Sequence, residues 1–87
     1  MSEPHDIRLK RLRIRSWRRG TREMDMILGP FFDASGDALS EEQLDAYEQL
    51  LSENDQDLYA WFSGQAPRPS EHLEIIQTVE EFRRVGI

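Results

Sequence analysis

The chain has 87 residues, 38% of them hydrophobic and 32% charged, with a formal net charge of −6 and no cysteine. That length makes one domain, which buries only about 60% of its unfolded surface and so needs an efficient core. Disulfide staples and thiolate metal sites are excluded, no apolar run approaches the ~18 residues of a membrane span, and the basic N-terminal segment leads into no continuous apolar run of the secretory kind. A soluble, cytoplasmic chain is expected, a single helical domain over residues 1–87 with residues 1–6 as a flexible N-terminus.

The first segment, DIRLKRLRIRSWRR (Asp6 to Arg19), carries no single apolar stripe. At 100° per residue Ile7, Ile14 and Trp17 fall on one side and Leu9 and Leu12 on the other; local alternation also allows a strand. Its leucine, arginine and lysine content favours a short helix, which Gly20 is expected to stop. A second helix follows with Thr21 as its cap and Glu23 and Asp25 in the first turn, where the helix dipole favours carboxylates. Met24, Ile27, Leu28, Phe31 and Phe32 then form one buried face. Pro30 is expected to kink or loosen the last turn, and DASGDA (Asp33 to Ala38) reads as a turn.

Ser40 and Gln43 form a capping box for a third helix, with Leu39 and Leu44 as its hydrophobic staple and Leu44, Tyr47, Leu50 and Leu51 inward. Asn54 caps a fourth helix that turns Leu58, Trp61 and Phe62 inward and ends at Gly64; the Trp61/Phe62 pair fits either the core or a partner surface. Ser70 is expected to cap the last helix, whose stripe is Leu73, Ile75, Ile76, Val79 and Phe82. The sum is an all-α bundle of about five short helices.

Charge is segregated along the chain. Residues 7–22 hold eight basic groups and no acid, whereas residues 33–81 hold thirteen acids against one base, Arg68. Such a dipolar chain either steers a partner or neutralises itself within the fold, and patterning alone does not choose. The two histidines, His5 and His72, lie too far apart for a local metal site and are expected on solvated surface. No glycine-rich phosphate loop and no nucleophile-and-base constellation is present, so no catalytic, cofactor-binding or metal-ligating residue is assigned.

The stretch RRGTREMD (Arg18 to Asp25) contains Arg19, Gly20 and Glu23 as an RGxxE motif, followed by an apolar stripe and PFF. After it come an acidic turn, an LSEEQL helix, the segment LLSENDQDLYAWFSG and a final helix. In this order the chain resembles the SdhE family of flavinylation assembly factors, with their mitochondrial relatives, over roughly Arg15 to Phe82. Thr21 and Met24 stand where other members often carry Met and Leu. The N-terminal arm is longer and more basic than the family pattern, so no role is transferred to Arg8 through Arg13.

The resemblance implies a five-helix bundle that is not an enzyme. Such a factor assists covalent attachment of FAD to the flavoprotein subunit of succinate dehydrogenase, and of fumarate reductase in some bacteria. The FAD acted on is the client's; none is bound stably by this chain. The implied partner surface is Arg19, Gly20 and Glu23, flanked by Arg18, Arg22 and Asp25. Arg19 would pair with a client carboxylate or carbonyl, close to Glu23 one turn on, and Gly20 would allow close backbone approach. A bacterial, cytoplasmic protein that is a monomer when free is expected, with no nucleic-acid partner and no membrane insertion. The competing reading is a small nucleic-acid-binding or regulatory adaptor using the basic N-terminal helix, whose affinity would fall steeply with salt; the pI near 4.8 weighs against it.

Overall fold

The computed structural model describes residues 3–85. Among them run five α-helices: α1 (His5–Trp17), α2 (Arg22–Ser35), α3 (Glu41–Leu51), α4 (Asp55–Ser63) and α5 (Leu73–Val85). Short 3₁₀ turns, Gly36–Ala38 and Ser70–His72, precede α3 and α5. Of the N-terminus expected to be flexible, Met1 and Ser2 lie outside the described residues, while Glu3 is paired with Arg11 and α1 begins at His5.

The central helix is α2, which contacts α1, α4 and α5, while α3 packs on α1 and α5. Its stripe is buried as the spacing requires: Met24, Leu28, Phe31 and Phe32 are fully covered and Ile27 nearly so. Pro30 does not end the helix, which continues to Ser35. The one donor lost there is outweighed by burial of the two phenylalanines that follow. Phe32 stacks on Tyr47 with ring centroids 5.1 Å apart, and Phe31 meets Phe82 edge-on at 5.8 Å.

The ambiguous first segment is a helix whose core side is Leu9, Leu12 and Ser16, with Ile7 and Ile14 turned to solvent and Trp17 partly covered by α2. Ser16 is a buried polar residue that periodicity does not flag. Its hydroxyl donates to the Leu12 carbonyl at 2.8 Å and lies 2.6 Å from the Tyr47 hydroxyl. Burial pushes the Tyr47 phenol well above its ordinary value, so it stays a neutral member of the pair. Trp17, 36% exposed, lies flat over Gly29 and donates its indole N–H to Asp33 at 3.0 Å. A Cβ on Gly29 would collide with Cδ2 and Cε2 of the indole and come within 2.7 Å of Cε3. Gly29→Ala therefore sets a helix-propensity gain of about 1 kcal/mol against displacement of the ring. The expected outcome is net destabilisation of about 1 kcal/mol, with red-shifted Trp17 emission in a Trp61→Phe background.

Three terminal details differ from the sequence reading. DASGDA is not a free turn: α2 runs to Ser35 and a 3₁₀ turn continues it, because Asp33 is held by Arg13 and Trp17 and the Phe32 ring packs beneath Gly36. Ser70 does not cap α5; Ser70–His72 form a 3₁₀ turn closed by the His72 N–H on the Pro69 carbonyl at 3.0 Å. That turn carries His72 inward, so His72 is 4% exposed rather than solvated. The capping box of Ser40 and Gln43, the Asn54 cap and the left-handed Gly64 stop are as the sequence requires.

The segregated charges meet inside the fold. Arg8 pairs with Glu41, Asp45 and Glu48, and Arg11 with Glu3 and Glu48, so that α1 is laid along the acidic side of α3. Arg15 lies 3.9 Å from Glu48, and Arg13 pairs with Asp33 at 3.1 Å. Each such surface pair contributes under about 1 kcal/mol, but together they set the register of α1. The Arg11 guanidinium holds the Glu48 carboxyl below its ordinary value of 4.5. The stabilisation from Glu48 is therefore complete above the unfolded value and is lost as pH falls through the lower folded one. Glu48→Gln is expected to cost most near neutral pH and little in acid, as urea titrations across pH would show.

Candidate functional site

The connection from α1 to α2 is Arg18, Arg19, Gly20 and Thr21. Four residues reverse the chain here because Gly20 adopts φ +104°, a conformation that a side chain strains. A Cβ on Gly20 would also sit 3.4 Å from Asp55 Oδ2. Gly20 is not the stop expected for the first helix, which ends at Trp17; it aims the backbone into the Thr21 cap. The Thr21 hydroxyl accepts the Met24 N–H at 3.4 Å.

Arg19 is turned inward, its side chain 11% exposed. Its Nε donates to Asp55 Oδ1 at 3.0 Å, Nη1 to the Leu51 carbonyl at 2.6 Å and Nη2 to the Glu53 carbonyl at 2.7 Å. Its backbone N–H donates to Asp25 Oδ1 at 2.7 Å. Leu51 is the last residue of α3, so its carbonyl has no partner within the helix, and a cation there also answers the negative end of the dipole. Asp55 opens α4. One guanidinium thus ties the α1–α2 turn to the end of α3 and the start of α4, a task for a planar fork rather than a point charge. This corrects the expected geometry: Arg19 neither reaches outward to a client carboxylate nor pairs with Glu23. Its donors are drawn to carbonyls and a carboxylate left unsatisfied by the α3–α4 turn.

The outer side of the same turn is left to solvent. Arg18, Arg22 and Glu23 are exposed and, among the described residues, have no side-chain hydrogen bond or ion pair. Asp25 is half-buried and occupied by the Arg19 amide. The six expected site residues therefore divide: Arg18, Gly20, Arg22 and Glu23 are presented, while Arg19 and Asp25 hold them in place. Glu23 also lines a shallow cleft of about 300 Å³ with Thr21, Asp55, Gln56 and Tyr59. Gln56 and Tyr59 were missed by the sequence reading. Tyr59 lies outside the Leu58, Trp61 and Phe62 stripe and one turn beyond Asp55, which places its 43% exposed ring beside the motif.

The basic helix supplies little to this surface. Of the eight basic groups in residues 7–22, Arg8, Arg11, Arg13, Arg15 and Arg19 are ion-paired within the chain. A nucleic-acid reading needs those cations free for phosphates. Glu53, Glu71 and His72 bring one ligand atom each within 4.8 Å of one another, but His72 Nε2 and Glu53 Oε2 are joined by a 2.9 Å hydrogen bond.

Residues 10–84 match the family model described as flavinator of succinate dehydrogenase. The chain belongs to this family. A relative from Legionella pneumophila named FAD assembly factor SdhE is 42% identical over 62 residues, covering 71% of this chain and 78% of the relative. A factor of the same name from Idiomarina loihiensis is 43% identical over 56 residues, 64% of this chain and 62% of its own length. A mitochondrial succinate dehydrogenase assembly factor 2-B from Drosophila ananassae is 36% identical over 83 residues, 92% of this chain and 51% of the relative. The flavinator match spans both α1–α2 and α3–α4, the two junctions that Arg19 joins. These relatives are named assembly factors rather than enzymes, and among the described residues no helix of this flavinator family member is long and apolar enough to cross a membrane.

Proposed function

We propose that this chain is an assembly factor that promotes covalent attachment of FAD to the flavoprotein subunit of succinate dehydrogenase, docking that subunit on the outer side of the α1–α2 turn. The observation that carries the docking site is the division of labour within the turn. Arg19 is spent on three internal acceptors, and the residues beside it, Arg18, Arg22 and Glu23, are presented without internal partners. A surface fixed in advance loses little conformational entropy on binding. It can hold a mobile client domain in one geometry, supplying orientation rather than reacting groups.

On this reading the FAD remains the client's, and the bond between a client histidine and the flavin 8α-methyl carbon forms from client groups. Glu23 accepts from a client amide or cationic side chain, with Tyr59 as an apolar wall beside it. The factor works as a cytoplasmic monomer, and the flavoprotein subunit of fumarate reductase is a second client. Glu23→Ala is expected to lower covalent flavin on the client at least about tenfold, a loss near 1.4 kcal/mol, with the melting temperature nearly unchanged. In-gel flavin fluorescence of the denatured client reads the first and circular dichroism the second. Undiminished flavin would sink the docking site. Titrating free FAD against the isolated chain is expected to show no saturable binding.

A further inference from the structure

Arg19 is itself held from behind. One of its acceptors is the main-chain carbonyl of Glu53, in the turn between α3 and α4. The side chain of the same residue is occupied on the other side: Glu53 Oε2 lies 2.9 Å from His72 Nε2. A carboxylate only accepts, so Nε2 carries the proton. His72 is buried in the 3₁₀ turn that leads into α5, with its ring centroid 5.6 Å from that of Trp61. Glu53 thus touches the docking turn with its backbone and the foot of α5 with its side chain.

The geometry of Arg19 needs that turn to stay still. Its two terminal nitrogens reach the Leu51 and Glu53 carbonyls at 2.6 and 2.7 Å at once, and such bonds weaken steeply with misalignment. The short α3–α4 turn is closed internally by the Ser52 and Glu53 amides on the Gln49 and Leu50 carbonyls, both at 3.1 Å. The Glu53 carboxylate on His72 anchors it to the 3₁₀ turn that leads into α5. An oxygen of the exposed Glu71 carboxylate also lies within 4.8 Å of the pair. Without the imidazole donor, two carboxylates would face each other and drive Glu53 away.

We propose that Glu53 and His72 are positioning residues: their hydrogen bond braces the carbonyls that fix Arg19, and so sets the orientation of the turn that meets the client. The client half of this statement rests on the docking reading above.

Three variants isolate the brace. Glu53→Ala removes the carboxylate and keeps the carbonyl that Arg19 uses. His72→Phe removes the donor and keeps a ring against Trp61. Glu53→Gln keeps an acceptor for Nε2–H. The full chain is measured in two ways: order of the Arg19 Nε–H group by ¹⁵N relaxation without client, and affinity for the purified flavoprotein subunit of succinate dehydrogenase. Glu53→Ala and His72→Phe are expected to make Arg19 Nε–H mobile and weaken client binding about tenfold. Glu53→Gln should behave as wild type, and the double variant Glu53→Ala/His72→Phe should be no worse than either single one. Melting temperatures that report a folded bundle in every variant are part of the measurement. An Arg19 Nε–H as ordered as in wild type in both brace variants overturns the proposal. So does full client affinity in both brace variants when Glu23→Ala has lost it. Full affinity in Glu23→Ala, with Arg19 still responding to the brace variants, overturns the docking reading instead and leaves the brace supported.

Discussion

Arg19→Lys is expected to lower the melting temperature of the bundle by roughly 10 °C and to take client docking with it. Lysine keeps the charge and reaches one acceptor, Asp55 or a carbonyl, but it cannot serve all three. Two hydrogen bonds of about 1 kcal/mol each are lost, and carbonyls at the end of α3 are left without the cation that answers them. In a domain of this size about 2 kcal/mol corresponds to a shift of roughly 8–16 °C. Arg19→Ala is expected to do more, because it also leaves the Asp55 carboxylate, 14% exposed, without its partner. Thermal melts followed by in-gel flavin fluorescence separate this from a pure contact residue, whose replacement would lower flavinylation at constant stability. An Arg19→Lys protein that melts with the wild type would show that the fork is dispensable.

The second large effect is expected for Gly20→Arg. The φ of +104° at this position costs a side-chain-bearing residue about 1–3 kcal/mol, and the new Cβ is directed toward Asp55. The new guanidinium also competes with Arg19 for that carboxylate and projects from the centre of the presented surface. Covalent flavin on the client is expected to fall below about a tenth of its normal amount, with a loss of stability beside it. Gly20→Ala divides the two causes: it keeps the backbone strain and adds almost no bulk. If Gly20→Ala retains full flavinylation while Gly20→Arg abolishes it, bulk at the interface rather than turn geometry is decisive.

Much of this fold was legible from spacing and caps alone. The α2 stripe, the Ser40 capping box, the Asn54 cap and the Gly64 stop are short-range patterns, and each stands where the sequence placed it. What spacing could not disclose were long-range partners. Ser16 reads as an ordinary helix-surface serine until Tyr47 arrives from α3. His72 reads as a solvated residue near a helix start until a 3₁₀ turn rotates it onto Glu53. Arg19 shows the limit most clearly, since its three acceptors lie 32 to 36 residues downstream. Resemblance to a family pointed at six residues around one turn, yet only the fold divides them into those that face outward and those that hold. The charge segregation was equally open in sequence, and the pairing of α1 with α3 resolves most of it within the chain.

The reach of Arg19 across the chain has a consequence for when the protein becomes competent. A nascent or truncated chain that ends before Leu51 has α1 and α2 but none of the acceptors that orient the turn between them. The orientation of that turn is fixed only when the second half of the bundle has docked on the first. Any partner that selects the turn in this fixed orientation must, by mass action, stabilise the whole bundle and not only the patch it touches.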